Sequence, residues 1–429
     1  MKGTKHIRSF SLKHLVFVFF LLTLFFPLIQ QHLKLIKERP LEGFFNVEDY
    51  PALSFDKWKS GEFQKLFETA SNDHVGFHDF FIELQSQINY SIFNISKIQS
   101  VVVGKEGYLY VRNYIDAVNG NDFMGSAYIN LQIEKAKIVD SVLKQKNISL
   151  IFAIAPGKGS YYPEYIPGAY KTNKHPDSTN YACYKKAFES SSLNFLDLRG
   201  YFLKMKDTCH YPLFSQVGVH WGEYACYLAT DTILKKLKIS NGPKIKDLKL
   251  YDSLINTDKD AGLLMNTLQF PNYYKMVTPE LIYPNDPSKS KLNLLSIGDS
   301  YFSNIVATGI IDSVFKSYHY RLYNKPVLSK SDFKKEIEKH QIILLLATDA
   351  TLNQFPYGFI DQTFELYAPK DKAYYALKKK EFIIFTKRTL VNIEKNKAWQ
   401  KQMVKSAKQK SIKPEEEFVN NAIWLYYNQ

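Results

Sequence analysis

The chain has 429 residues, 45% hydrophobic and 23% charged, the proportions of an ordered protein with room for one large domain or two medium ones. Its formal net charge of +14 comes almost wholly from Lys scattered along the chain, with few Arg, so no clustered Arg-rich face argues for nucleic acid and a solvated basic surface is expected. Cys183, Cys209 and Cys226 have no CxxC spacing and give no support to a zinc ribbon or a thioredoxin-like motif.

The first element in chain order is an apolar run from Leu15 to Ile29, interrupted in polarity only by Thr23 and preceded by Lys2, Lys5, Arg8 and Lys13. It is followed by Pro27, Gln30, Gln31 and His32 with no small-residue cleavage site, which favours an uncleaved signal anchor over a removed signal peptide. The positive-inside rule leaves residues 1–32 as cytoplasmic tail and anchor and puts the rest outside. Residues 33–71, broken by Arg39-Pro40 and Tyr50-Pro51, read as a connector.

From residue 72 the pattern becomes that of a packed domain. Gln99–Val103, a turn at Gly104–Gly107 and Tyr108–Tyr110 predict a hairpin. Residues 128–146 have helical spacing, with Leu131, Ile138 and Val142 on one side, and lead into the continuous apolar run Leu150–Ala155. The unit recurs as a helix over 178–190 before Leu193–Leu196, and as a helix over 331–340 before Ile342–Leu346. Leu292–Ile297 runs into Gly298-Asp299-Ser300 and a further helix. Alternating helices and doubly apolar strands predict an α/β fold, a mostly parallel sheet covered by helices, over 72–388. Pro414 followed by Glu415, Glu416 and Glu417 is a helix start, and residues 389–429 are expected to form a helical cap.

Reactive groups of a parallel sheet gather at the carboxyl ends of its strands. Ser300 lies there, after Gly298 and Asp299 and before Tyr301, where the helix N-terminus favours an oxyanion. The plain alternative is an N-cap serine. A serine nucleophile needs a base, and His220, in Gly218-Val219-His220-Trp221-Gly222-Glu223, is the one His in an unusual context. Its plain alternative is a loop His packed on Trp221. Lys158, after the strand ending at Ala155, could face the site, but a solvated lysine is the favoured reading. His74 and His78 are four apart but lack the Glu of HExxH, so no metal is expected, and the absence of GxxxxGK[ST] removes nucleotide binding.

Taken together, GDS after a strand and an HW loop eighty residues earlier resemble the SGNH-hydrolase-like O-acetyltransferases of the alginate O-acetyltransferase type. The resemblance extends to Gly76-Phe77-His78-Asp79-Phe80-Phe81 (with His78 where Arg is usual), Gly104-Lys105-Glu106-Gly107-Tyr108-Leu109-Tyr110, Pro156-Gly157-Lys158, Tyr162-Pro163-Glu164, Thr348–Asn353 and Gly358–Asp361. It implies Ser300 as acyl carrier and His220 as its base, a polysaccharide hydroxyl as acceptor, and no cofactor. It also implies a membrane-bound O-acyltransferase partner and a single-pass place in a bacterial inner membrane with the domain on the periplasmic side. The family's D-x-H-W motif supplies the acid that orients the His, but here Gly218 stands in the Asp position. Either another carboxylate serves, Asp349 or Glu223, or a Ser–His dyad suffices, or the protein binds a polysaccharide without catalysis. An esterase using the same pair is the other reading.

Overall fold

The structure, a computed structural model, describes residues 12–43, 46–172, 178–250, 258–284, 290–325 and 328–428. The basic flank of Lys2, Lys5 and Arg8 lies outside them. The chain divides into two compact units, residues 1–103 with 259–272, and residues 104–258 with 273–429. The first holds the apolar segment Leu12–Leu33, 22 residues long and apolar enough to cross a membrane. It also holds helices Phe55–Ser60, Glu62–His74 and His78–Phe93, so the expected connector turns helical from Phe55 onward.

Among the described residues the strands are, in chain order, β1 (Val101–Val103), β2 (Leu109–Val111), β3 (Ser149–Ala155), β4 (Phe195–Asp197), β5 (Lys244–Leu250), β6 (Val277–Ile282), β7 (Ser290–Gly298), β8 (Phe315–Leu322) and β9 (Ile342–Thr348). The second unit is built on a five-stranded sheet in the order β4-β3-β9-β7-β8, every pairing parallel. Numbered in chain order within this sheet, that order is 2-1-5-3-4: the chain passes from β7 outward to β8 and then back across β7 to β9, so the direction of winding reverses between β7 and β9. β5 and β6 form a separate antiparallel pair.

All seven residues of β9 are buried, because both faces of this central strand are covered. Alternate residues serve the two faces. Ile151, Ala153, Leu294, Leu344 and Leu346 pack with Phe202, Ile233 and Phe302. Phe152, Ile154, Leu295, Ile343 and Leu345 pack with Ile129, Phe188 and Phe355.

Helix Ser126–Gln145 forms where helical spacing predicted it, but Val139 and Leu143 are buried while Ile138 and Val142 are half-exposed. The phase differs because this helix is covered from two sides, by the sheet and by helix Lys372–Lys395. Lys135 is buried between them, with Nζ 2.6 Å from Asp361 and 2.8 Å from Glu381. The C-terminal helices therefore begin at Lys372 rather than near 389, and continue as Lys397–Lys410 and Pro414–Tyr427.

Removing the cation would leave two carboxylates facing each other around a buried hole. Lys135→Ala is expected to lower stability by about 2–3 kcal/mol, less than for a wholly buried pair because both acids reach water. Urea unfolding of the full solubilised chain measures this, and an unchanged midpoint would mean the bridge is energetically silent.

Candidate active site

Ser300 sits at the switch point of the sheet, directly after β7, as the first residue of helix Ser300–Ala307. Three contacts put it there. Gly298 lies so close to β9 that a Cβ would collide with the Leu346 carbonyl, so close approach, rather than the turn, requires the glycine. Asp299 is buried and caps the helix by accepting from the Tyr301 N–H at 3.1 Å. Its other oxygen accepts from the Thr348 N–H (2.7 Å), the Thr348 hydroxyl (2.8 Å) and the Thr351 hydroxyl (2.8 Å). Asp299 thus ties the end of β7 to the end of β9. Burial pushes its pKa up in spite of these donors.

His220 arrives from the loop between Leu213 and Gly222, and its Nε2 lies 2.7 Å from the Ser300 Oγ. The loop is held from several directions. Gly222 N–H donates to the Leu213 carbonyl (2.8 Å), and Phe214 bridges to Trp221. The indole N–H of Trp221 donates to the Tyr301 carbonyl (3.2 Å), while the Tyr301 hydroxyl donates back to the Val219 carbonyl (2.9 Å). Tyr301 is therefore a buried clamp between the Ser300 helix and the His220 loop, and its N–H is already taken by Asp299.

The carboxylate against His220 is neither Asp349 nor Glu223 but Asp258. Its Oδ1 lies 3.5 Å from the His220 Nδ1, and its Oδ2 accepts from the backbone N–H of Val219 and of His220 (2.5 Å). Burial raises the Asp258 pKa, but the His220 ring and the two N–H groups outweigh it and hold the carboxyl below its ordinary range. It is thus ionised at neutral pH and favours a ring that carries a proton on Nδ1. Gly218 makes this arrangement possible: a Cβ there would collide with the Asp258 carboxylate and carbonyl. An acid on residue 218 and an acid on residue 258 compete for one space.

Asp349 is buried elsewhere, accepting from the Gly157 N–H at 3.0 Å and lying 3.5 Å from Arg199; burial raises its pKa against the pull of that guanidinium. Glu223 opens helix Glu223–Lys236. No local signal marks Asp258. It stands in an unpatterned stretch, 38 residues after His220, and only the vacancy at Gly218 pointed to an acid from elsewhere.

Lys158 is buried rather than solvated. Its Nζ donates to the Gln216 carbonyl (2.6 Å) and the Gly218 carbonyl (2.9 Å), beside the rings of Tyr108 and Tyr110. It holds the segment that precedes His220 and shapes the turn that takes Asp258. Burial lowers its pKa to about 7 although the Asp258 charge opposes this.

A Ser–His–Asp constellation at a helix N-terminus can raise the nucleophilicity of a serine hydroxyl and stabilise an oxyanion beside it. Gly218→Ala should displace Asp258 and lower the rate at which a sulfonyl fluoride labels Ser300 tenfold or more, read by intact mass; an unchanged rate would show that Asp258 does not support the pair. Lys158 gives a pH test. A lysine with a folded-state pKa near 7 and an unfolded one of ~10.4 binds fewer protons when folded, so its contribution to stability rises with pH across that window. The gap in unfolding midpoint between the native chain and Lys158→Met should widen from pH 7 to pH 9.

Residues 101–292 match the family described as "SGNH hydrolase-like domain, acetyltransferase AlgX"; the match contains His220 and Asp258 and ends eight residues before Ser300. No curated protein matches the chain in sequence. Among solved structures it is similar to the O-acetyltransferase domain of Pseudomonas putida AlgJ, with 16% identity, a TM-score of 0.43 and coverage of 62% of this chain and 99% of that one. It is also similar to Pseudomonas aeruginosa AlgX, with 13% identity, a TM-score of 0.38 and coverage of 61% and 66%. A DHHW family protein from Eubacterium siraeum has 12% identity, a TM-score of 0.37 and coverage of 54% and 88%. Over residues 101–292, somewhat less than half of its length, the chain is similar to the SGNH hydrolase-like acetyltransferases of the AlgX family.

Proposed function

We propose that this protein is a serine O-acetyltransferase that moves an acetyl group onto hydroxyls of an exported polysaccharide. The observation that carries the reading is the 2.7 Å approach of His220 Nε2 to the Ser300 Oγ, with an ionised Asp258 behind the ring. Ser300 Oγ attacks the acetyl carbonyl while its proton passes to His220 Nε2. The oxyanion forms beside the first N–H of the helix, that of Ser300. The donor leaves with the proton from His220, and the acetyl ester remains on Ser300. A sugar hydroxyl then gives its proton to His220 and attacks this ester, and the proton returns to Ser300 as the acetylated sugar departs. Asp258 holds the imidazole with Nδ1–H inward and stabilises the imidazolium in each half.

Leu12–Leu33 anchors the chain as a single span, with the rest of the chain on the outer face of the membrane. Acetyl-CoA is a cytoplasmic metabolite, so a donor outside the membrane calls for a membrane-bound O-acyltransferase partner. Of the readings left open by Gly218, loss of catalysis is the one the site argues against, because Asp258 occupies the space that an acid on 218 would use.

Hydrolysis of a chromogenic acetyl ester by the full chain tests the acyl-enzyme half. Ser300→Ala and His220→Ala should reduce it to background, and Asp258→Asn should lower the rate by on the order of 10²–10⁴-fold. Adding an oligosaccharide acceptor should divert acetyl from water to sugar, seen as a gain of one acetyl by mass spectrometry. Acetate as the sole product with every acceptor tried would make the protein an esterase.

A further inference from the structure

Helix His78–Phe93, in the first unit, is turned inside out. Its polar Glu83 and Ser86 are buried, whereas Phe80, Phe81, Ile88, Ile92 and Phe93 are exposed by 41% to 69%. Phe81, Leu84, Ile88 and Ile92 recur at helical spacing and make a stripe along one side. A helix in water buries its apolar side; one that buries its acid and exposes its phenylalanines is suited to an apolar surrounding.

The same unit fixes how deep this helix lies. Its N-terminus is clamped to the last turns of the apolar segment. Gly76 packs so closely that a Cβ would collide with the Pro27 carbonyl and come within 2.6 Å of the Gln31 nitrogen. Gln30, itself buried, donates to the Ile36 carbonyl (2.5 Å) and to Glu38 (3.3 Å), and Glu38 accepts the Phe77 N–H (3.1 Å). Arg39 reaches across to the buried Glu83 at 2.6 Å. Between the two elements lies a largely apolar groove of about 500 Å³, walled by Thr23, Phe26 and Pro27 on one side and by Phe77, Phe80 and Phe81 on the other. Thr23 stands ten residues before the end of the segment at Leu33, about 15 Å along a helix axis. The 22-residue segment is about as long as a hydrocarbon core is thick. With Lys13 at its inner end, a segment that spans the membrane carries Phe77, Phe80 and Phe81 below the outer interface.

We infer that helix His78–Phe93 is a membrane-embedded foot: its apolar stripe lies among lipid tails of the outer leaflet, and the groove beside Phe26 takes an acyl chain of a bilayer phospholipid. Exposed Lys37 at the groove's mouth stands at the level of the lipid phosphate. The first unit is thereby held at the membrane by two elements rather than one. This inference rests on the reading of Leu12–Leu33 as a span.

The test is photo-crosslinking of the purified full chain in nanodiscs of phosphatidylethanolamine and phosphatidylglycerol that contain a phospholipid with a diazirine in its acyl chain. Adducts are mapped by peptide mass spectrometry. Adducts on 77–93 as well as on 12–33 are expected, and the double substitution Phe80→Ser, Phe81→Ser should cut those on 77–93 at least fivefold while those on 12–33 persist. Adducts confined to 12–33 would overturn the foot and leave the span standing. Adducts on neither would remove the span, and the foot with it, without touching the Ser300 site, which the ester assay reads separately.

Discussion

Asp299 is the pin of the reactive end. One buried carboxylate caps the nucleophile helix through the Tyr301 N–H and accepts three donors from the end of β9. A carboxylate sequestered from water is tolerable only when its lone pairs are filled, so the two strand ends and the helix start cannot move apart separately. Gly298 against the Leu346 carbonyl sets the same spacing one residue earlier. Ser300 inherits its position from this joint, at the point where the sheet reverses its winding and loops from both sides converge.

The His loop reaches that point by a different device, a ring of backbone carbonyls answered by side-chain donors. Lys158 serves Gln216 and Gly218, Tyr301 serves Val219, and Trp221 donates to Tyr301. Each donor is buried, and each lost bond would strand a carbonyl away from water. The 218–220 turn then presents two N–H groups to one oxygen of Asp258 while the other faces the ring. The acid against His220 comes from residue 258, and it fills space that a side chain on residue 218 would need, so glycine at 218 is the steric condition for this contact.

In the first unit it is the polar side of a helix that is buried. Arg39 pairs with Glu83, and Glu38 accepts from Gln30 and from the Phe77 N–H, which lets the polar side of helix His78–Phe93 turn inward and its phenylalanines outward. The apolar segment Leu12–Leu33 and the Ser300 site lie in separate units of the chain, so either can be tested while the other is left intact.

The sequence by itself determined the parallel sheet, because strands buried on both faces must be continuously apolar, as β3 and β9 are. It also determined the apolar segment, while Ser300 and His220 were brought together only by the family resemblance that the strand-Gly-Asp-Ser-helix junction and the HW loop carry jointly. Only the tertiary structure decided the acid. Asp258 lies in a stretch with no pattern, and what recruits it is empty space beside Gly218, which local sequence does not encode. It also decided that Lys158 is buried, since a lone lysine after a strand reads as solvated until the carbonyls it answers are seen. The buried face of helix Ser126–Gln145 came out shifted for a related reason. Periodicity reports one apolar side, whereas a helix covered by both a sheet and another helix takes its phase from two neighbours at once.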